Sequence, residues 1–297
     1  MKIAVIIATR GRPERAAAVI QCARNFMSGQ VAVDFVVALD ADDQRSIDFF
    51  SKRIAEDVVA YVAPRPDGVG DVWNRAAAKF QADIYIAVPD DAWIIGPHWD
   101  LVSVNVLKDE GGLPAQLGVV GWFDPANPGV TSIFSMSAKW VEMIGHIFDP
   151  RYPFWYGDTA LVETAIFATG MGMPQVDLLK FASMPGKFNP RLRDMDLWWD
   201  FFAATRLERV ETARKVAALS GMPTISPAMM AKLVKACEAR DAQGRAQISD
   251  VMQTIENPAS PSQEYWRAKA AAEEYLRRAA IPAGQSRSTG EPQGPHP

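Results

Sequence analysis

Apolar and polar positions alternate along the first hundred residues as short apolar runs separated by longer periodic stretches. IAVIIA (3–8), VDFVVALD (33–40), DVVAYVA (57–63) and Ile84 to Val88 have strand length and little polar alternation, which predicts four strands buried on both faces. Between them, Glu14 to Asn25, Ser46 to Ala55 and Val72 to Phe80 place apolar residues at helical spacing, and Pro13 stands where a first-turn proline belongs. The stretch PRPDGVG (64–70) is a loop by composition. This β-α-β-α rhythm predicts an α/β fold with a mostly parallel sheet and right-handed crossovers.

The pattern changes after residue 97. Trp99 to Leu107 predicts a helix, and GVVGWF (118–123) and SIFSMSA (132–138) predict strands on either side of a PANPG turn. Lys139 to Gly145 starts a helix, Thr159 to Ala168 forms another that Gly170 and Gly172 end, and Val176 to Phe181 is a strand. Beyond Pro190 the chain reads as helical: Asp194 to Leu219, Pro227 to Arg240, Ile248 to Ile255 and the Ala/Glu/Arg-rich Gln263 to Ala280. Residues 283–297 hold no apolar content to bury and are expected to be disordered.

Composition narrows the classes. A chain of 297 residues with 48% hydrophobic and 22% charged positions can build one large core, with room for an appendage. A net charge of −4 gives no overall basic footprint for duplex nucleic acid. Cys22 and Cys237 read as reduced, inert thiols of a cytoplasmic protein, although their sequence alone leaves a disulfide open. No apolar run reaches the roughly 18 residues of a membrane span. The first residues open a strand rather than a signal peptide.

The candidate chemistry lies where strands end. The fourth apolar run stops on Pro89-Asp90-Asp91, at the edge where open α/β sheets bind ligands. Two carboxylates there are hard oxygen ligands suited to Mg²⁺ or Mn²⁺, and a solvated turn is the plain alternative. The first strand ends in Thr9-Arg10-Gly11-Arg12 and the second in Asp40-Ala41-Asp42-Asp43. Thr9 and Asp40 are expected side by side, with Asp40 accepting from a base N–H or a ribose hydroxyl. Arg10 or Arg12 would meet phosphate as a planar fork. Gly68 and Gly70 permit close backbone approach, and Asn74 follows on the next helix within reach of ribose or phosphate. Each also has a plain reading as surface charge, capped turn or ordinary loop. Asp158 opens a helix behind Phe154-Trp155-Tyr156, a wall of the kind that stacks sugar rings. It is a candidate general base or, more simply, a helix cap.

Taken in order, IIATRGRPER, VVALDADD and NRAAAKFQADIYIAVPDDAWIIGPHWD resemble the nucleotide-binding half of a family 2-like glycosyltransferase with the GT-A fold. IGHIFDPRYPFWYGDTALVETA is similar to the acceptor segment of those enzymes. The resemblance covers roughly residues 1–215 and implies a GT-A type, Rossmann-like catalytic domain there; the helical pattern makes 216–282 an extension, and composition makes 283–297 a tail. The resemblance implies transfer of a sugar from a nucleotide-sugar donor to an acceptor hydroxyl with inversion. Thr9, Arg10 and Asp40 would hold the nucleoside, and Asn74 and Asp90 would line the ribose and phosphates. Asp91 would bind Mn²⁺ or Mg²⁺ through the diphosphate, and Asp158 would be the general base.

Two positions depart from the family pattern. Pro89 replaces the first acid of the metal motif, and Met184 stands where relatives often carry a metal-binding His. A thioether is a poor ligand for a hard cation, and His146 is the other imidazole candidate. The rival readings are a catalytically silent nucleotide- or glycan-binding scaffold and a nucleotidyltransferase. The second wants a glycine-rich signature after strand one, and TRGRPER has one glycine. The acceptor class stays open among a glycan, a lipid-linked sugar, a protein and a modified base. Gln263 to Arg278 is amphipathic enough to pack on the catalytic domain or on a second copy in a homo-oligomer.

Overall fold

The computed structural model describes residues 1–52, 55–65, 68–108, 112–126, 131–153, 155–184, 194–252 and 263–280. The expected tail at 283–297, Phe154 and most of the segment after Met184 lie outside the described residues.

The four apolar runs form β1 (Lys2–Thr9), β2 (Ala32–Asp40), β3 (Val58–Ala63) and β4 (Ile84–Pro89), joined by α1 (Pro13–Phe26), α2 (Gln44–Ser51) and α3 (Val69–Lys79). All four strands are parallel, in the order β3-β2-β1-β4. Successive residues of β1 serve opposite faces, as a period of two requires. Ile3, Val5 and Ile7 pack with Ala16, Val19 and Ile20 of α1, while Ala4 and Ile6 share a core with Trp73, Ala76 and Ala77 of α3. Helices on both faces explain why these strands lack polar alternation.

The chain continues through β5 (Ala92–Ile94), α4 (Trp99–Lys108), α5 (Leu113–Leu117), β6 (Val119–Phe123), β7 (Phe134–Ser137), α6 (Ala138–Ile144), α7 (Gly157–Thr169) and β8 (Gln175–Ser183). These strands extend the sheet as β4-β7-β6-β8-β5. β7 is antiparallel to both β4 and β6, so the parallel half joins a mixed half. Three residues are too few to show a period in sequence. β5 exists because Ala92, Trp93 and Ile94 pair antiparallel with Ser183, Ala182 and Phe181 of β8.

The remaining helices are α8 (Met195–Ala204), α9 (Arg206–Leu219), α10 (Pro227–Met252) and α11 (Gln263–Ala279). The single periodic stretch expected from 194 to 219 breaks at Thr205, whose hydroxyl is within hydrogen-bond distance of Phe201 O at 2.9 Å and Phe202 O at 3.2 Å. Such back-bonding competes with the helical ladder. Conversely, α10 runs on where two helices were expected, with Gly244 close against the Trp199 ring. Residue 215, the expected domain boundary, falls inside α9, which packs along α7. Cys22 and Cys237 are free thiols. Among the described residues no helix is long and apolar enough to cross a membrane.

Candidate functional site

The strand order reverses between β1 and β4, because β2 leaves β1 on one side and β4 returns on the other. The crevice at the carboxyl ends of such a pair is the favoured ligand site of an open α/β sheet. Pairing of Ala8 with Pro89 places Thr9 opposite Asp90, and the Thr9 hydroxyl donates to Asp90 Oδ2 at 2.7 Å. Arg12, at the residue before α1, donates from Nη2 to Asp90 Oδ1 at 2.5 Å. Asp90 is 2% exposed, so its charge is met by that guanidinium rather than by water.

On the other side of β1, Arg10 bridges two acids. Its Nη1 donates to Asp40 Oδ2 at 2.8 Å and to Asp42 Oδ1 at 2.5 Å, and its Nη2 to Asp42 Oδ2 at 2.9 Å. That hydrogen bonding holds the Asp42 carboxyl below the usual carboxylate range. Asp40 Oδ1 takes no partner among the described residues, which leaves one acceptor for a base or ribose. Asp43 caps α2 through Ser46 N and accepts from Gly11 N at 2.6 Å, tying the β1 and β2 loops together. Burial pushes the Asp43 carboxyl up, but the bonds from Ser46 and Gly11 outweigh it and leave it low.

Asn74 has a different duty from the one expected. Its Oδ1 accepts from Ile147 N at 2.8 Å and Phe148 N at 3.1 Å, and its Nδ2 donates to Phe148 O at 2.7 Å. The side chain therefore pins the 147–148 backbone onto α3 and does not reach into the crevice as a free amide. Asn74→Ala is expected to destabilise the protein by about 1–3 kcal/mol for each backbone N–H left unpaired, measured by chemical denaturation. A stability change within a few tenths of a kcal/mol would disprove that role.

The same packing locates Asp158. The Phe148 ring meets Trp73 edge-on at 5.2 Å, and a Cβ on Gly70 would lie 3.2 Å from Phe148 Cβ. At Gly68 a Cβ would come within 2.3 Å of the Pro153 backbone, so the chain there can approach only a glycine. A Cβ on Gly157 would in turn lie 3.6 Å from Phe148 Cβ. These contacts hold the start of α7 against the first turn of α3, which follows the carboxyl end of β3. Tyr156 adopts φ +69° immediately before α7, an outlier for an aromatic residue of the kind that clusters at functional sites. Asp158 is half-buried and accepts from Thr159 N at 2.7 Å. Burial raises its pKa against the opposing pull of the Thr159 hydrogen bonds.

The expected aromatic wall is mostly core. Tyr156 stacks on Phe202 at 5.1 Å and meets Trp199 edge-on at 5.6 Å. Trp155 packs on the same cluster, which includes Trp198 and Tyr265. His146 lines a cavity of about 80 Å³ with Asp149, Arg151 and Glu208, on the α7–α9 side of the molecule. Burial lowers its pKa, against the raising pull of Asp149.

The described residues do not fit a divalent cation held by side chains alone. Asp90 has both oxygens engaged, and Met184 offers sulfur to a hard ion. Met184 does lie beside the acids, since its N–H donates to Asp91 O at 2.6 Å, but its side chain packs on the apolar core. Asp91, half-buried and without a side-chain partner among the described residues, is the one free carboxylate at the motif. No group of three His, Cys, Asp or Glu side chains able to hold a metal occurs among the described residues. Sequence reasoning named Arg12 and Asp90 but missed their pairing, and nothing in TRGRPER or VPDDAW signals it.

No protein-family model matches the chain, and no curated protein sequence does either. Solved structures do. TarS of S. aureus, residues 1–349, in complex with UDP aligns with a TM-score of 0.55 at 10% identity, over 95% of this chain and 81% of that one. GalNAc-T7 with UDP, GalNAc and Mn²⁺ aligns with a TM-score of 0.53 at 12% identity, over 75% of this chain and 55% of that one. A mannosyltransferase from Pyrobaculum calidifontis, in complex with GDP-Man and Mn²⁺, aligns at 12% identity with a TM-score of 0.46, over 94% and 86% of the two chains. The first two likenesses show a GT-A-like glycosyltransferase fold with a helical C-terminal part.

Proposed function

We propose that the protein transfers a sugar from a nucleotide-sugar donor to an acceptor hydroxyl. The observation that carries this reading is the meeting of Thr9, Asp40 and Asp90 at the carboxyl edge of a GT-A-like sheet. Structural neighbours bound to UDP, and to UDP with GalNAc and Mn²⁺, support it. In this reading residues 1–215 carry the donor and acceptor sites, and the helices that follow brace them.

Asp40 accepts from the base or ribose through its free oxygen. Asp158 takes the proton of the acceptor hydroxyl as its oxygen attacks the anomeric carbon, and attack opposite the leaving diphosphate inverts that carbon. The described acids make no site for Mn²⁺ or Mg²⁺, and no step of this reading depends on a metal.

A thermal-shift screen of UDP, GDP, CMP and dTDP with their common sugar conjugates tests the donor site. One nucleotide is expected to raise Tm, since a ligand bound to the native state alone stabilises it, and Asp40→Ala is expected to abolish the rise. No rise with any nucleotide would refute the reading. A catalytically silent binding protein is the second reading, favoured by the poor fit of the acids to a metal. It predicts the same shift with no release of nucleoside diphosphate from any donor.

A further inference from the structure

We propose that Arg12, anchored on Asp90, takes the position that the resemblance gives to a divalent cation, and meets the donor's diphosphate directly. The inference rests on the donor reading above.

Three observations carry it. Asp90 is buried, and its two oxygens are taken by Thr9 and Arg12. A cation drawn to Asp90 would have to share a buried carboxylate whose charge the guanidinium already neutralises. Arg12 itself uses one nitrogen, Nη2, on Asp90. Its Nε and Nη1 take no partner among the described residues, and its side chain is 34% exposed. An arginine presents five N–H donors in a rigid fork that matches phosphate oxygens, so a fork pinned at one corner still offers donors to a ligand. Arg12 also stands at the start of α1 and at the switch point of the sheet, where the helix dipole adds positive potential.

Arg10 is not equivalent, because it is already shared between Asp40 and Asp42. It organises the nucleoside side of the crevice. Arg12 spends one N–H on Asp90 where Arg10 spends three on Asp40 and Asp42, so Arg12 has the more donors left to offer.

In the transfer, the acceptor oxygen bonds to the anomeric carbon and the bond from that carbon to the diphosphate oxygen breaks. The bonding pair stays on the diphosphate, and the acceptor proton goes to Asp158. Arg12 keeps its proton throughout and neutralises the growing charge on the leaving group. Asp91 then has no cation to hold, and as a partly solvated carboxylate near the phosphates it opposes binding weakly.

The test is calorimetric titration with UDP, GDP, CDP, dTDP and inorganic pyrophosphate, in EDTA and in Mn²⁺. Nucleotide affinity is expected to be the same in both. Arg12→Ala is expected to weaken it about ten- to hundredfold, as loss of a hydrogen bond to a charged group predicts. Arg12→Ala strands the buried Asp90 charge, so the Arg12→Ala/Asp90→Asn double variant removes the guanidinium without that fault and must show the same loss. Asp91→Asn is expected to retain or tighten binding.

Binding that requires Mn²⁺, survives the double variant and disappears in Asp91→Asn would overturn the proposal and leave the donor reading standing. Pyrophosphate bound through Arg12 as tightly as every nucleotide would keep the arginine site and overturn the donor reading. No binding of any diphosphate in either condition would overturn both.

Discussion

Glu163→Ala is expected to destabilise the protein by about 3–5 kcal/mol, because it strands buried guanidinium groups. Glu163 is fully buried on α7 and faces α9, where its Oε1 accepts from Arg206 Nε at 3.1 Å and its Oε2 from Arg209 Nε at 2.6 Å. Arg206 keeps a second partner, Asp241 of α10, after the substitution. Arg209 does not: its remaining bonds go to the Tyr152 and Thr205 hydroxyls and to Phe202 O, all neutral. The guanidinium lies 3.9 Å above the Phe202 ring and cannot reach water without repacking the helices. Burial, and next the Glu163 charge, push the Cys237 thiol up to about 12, so the same variant is expected to lower that pKa. Urea unfolding with thiol titration reads both. A loss below 1 kcal/mol would mean that helix packing, and not this cluster, holds α7 to α9. The cluster also holds the segment before α7, because Arg209 donates to the Tyr152 hydroxyl.

Asp158→Asn is expected to lower kcat about 10²- to 10⁴-fold while nucleotide affinity stays unchanged, the signature of a lost general base. The pH profile makes the assignment specific. Burial raises the Asp158 pKa, so the acid limb of the rate should lie above the ordinary carboxylate range, with activity rising as pH climbs through that raised value. For stability the sign is opposite. A carboxyl whose folded pKa is raised contributes stability below its unfolded pKa, and loses it as pH rises through the folded value. At neutral pH the asparagine variant should therefore be at least as stable as the parent, with Tm unchanged or higher. A role confined to the helix start predicts otherwise: Asn serves there nearly as well as Asp, so Tm would change little and turnover would hold within a few-fold. That result would remove Asp158 from the mechanism.

Asp158 and Asn74 mark where local sequence stops being informative. Asp158 could be named from its place at a helix start after an aromatic run, since capping and catalysis both favour an acid there. Asn74 was equally conspicuous on its helix, yet its carboxamide serves a backbone 73 and 74 residues away. A side chain's partner across that distance leaves no periodic trace. Tyr156 is a similar case. As one of three aromatics it reads as a sugar platform, and the arrival of α8 turns it into core by stacking Phe202 on it.

The parallel half of the sheet was determined by the sequence itself. Continuous apolar runs can be buried only between two helical layers, and the alternating helices fix parallel connections of one hand. From that alone Thr9, Asp40 and Asp90 had to gather at one edge. Tertiary structure decided the rest: the antiparallel joining of β7 to β4, the three-residue β5, the break at Thr205 and the ion cluster under α7. It also decided the character of the site. Two adjacent aspartates after a buried strand read as a metal motif, because carboxylates there need positive charge. Which positive charge arrives depends on how the β1–α1 turn folds over β4, and in this fold it is the guanidinium of Arg12.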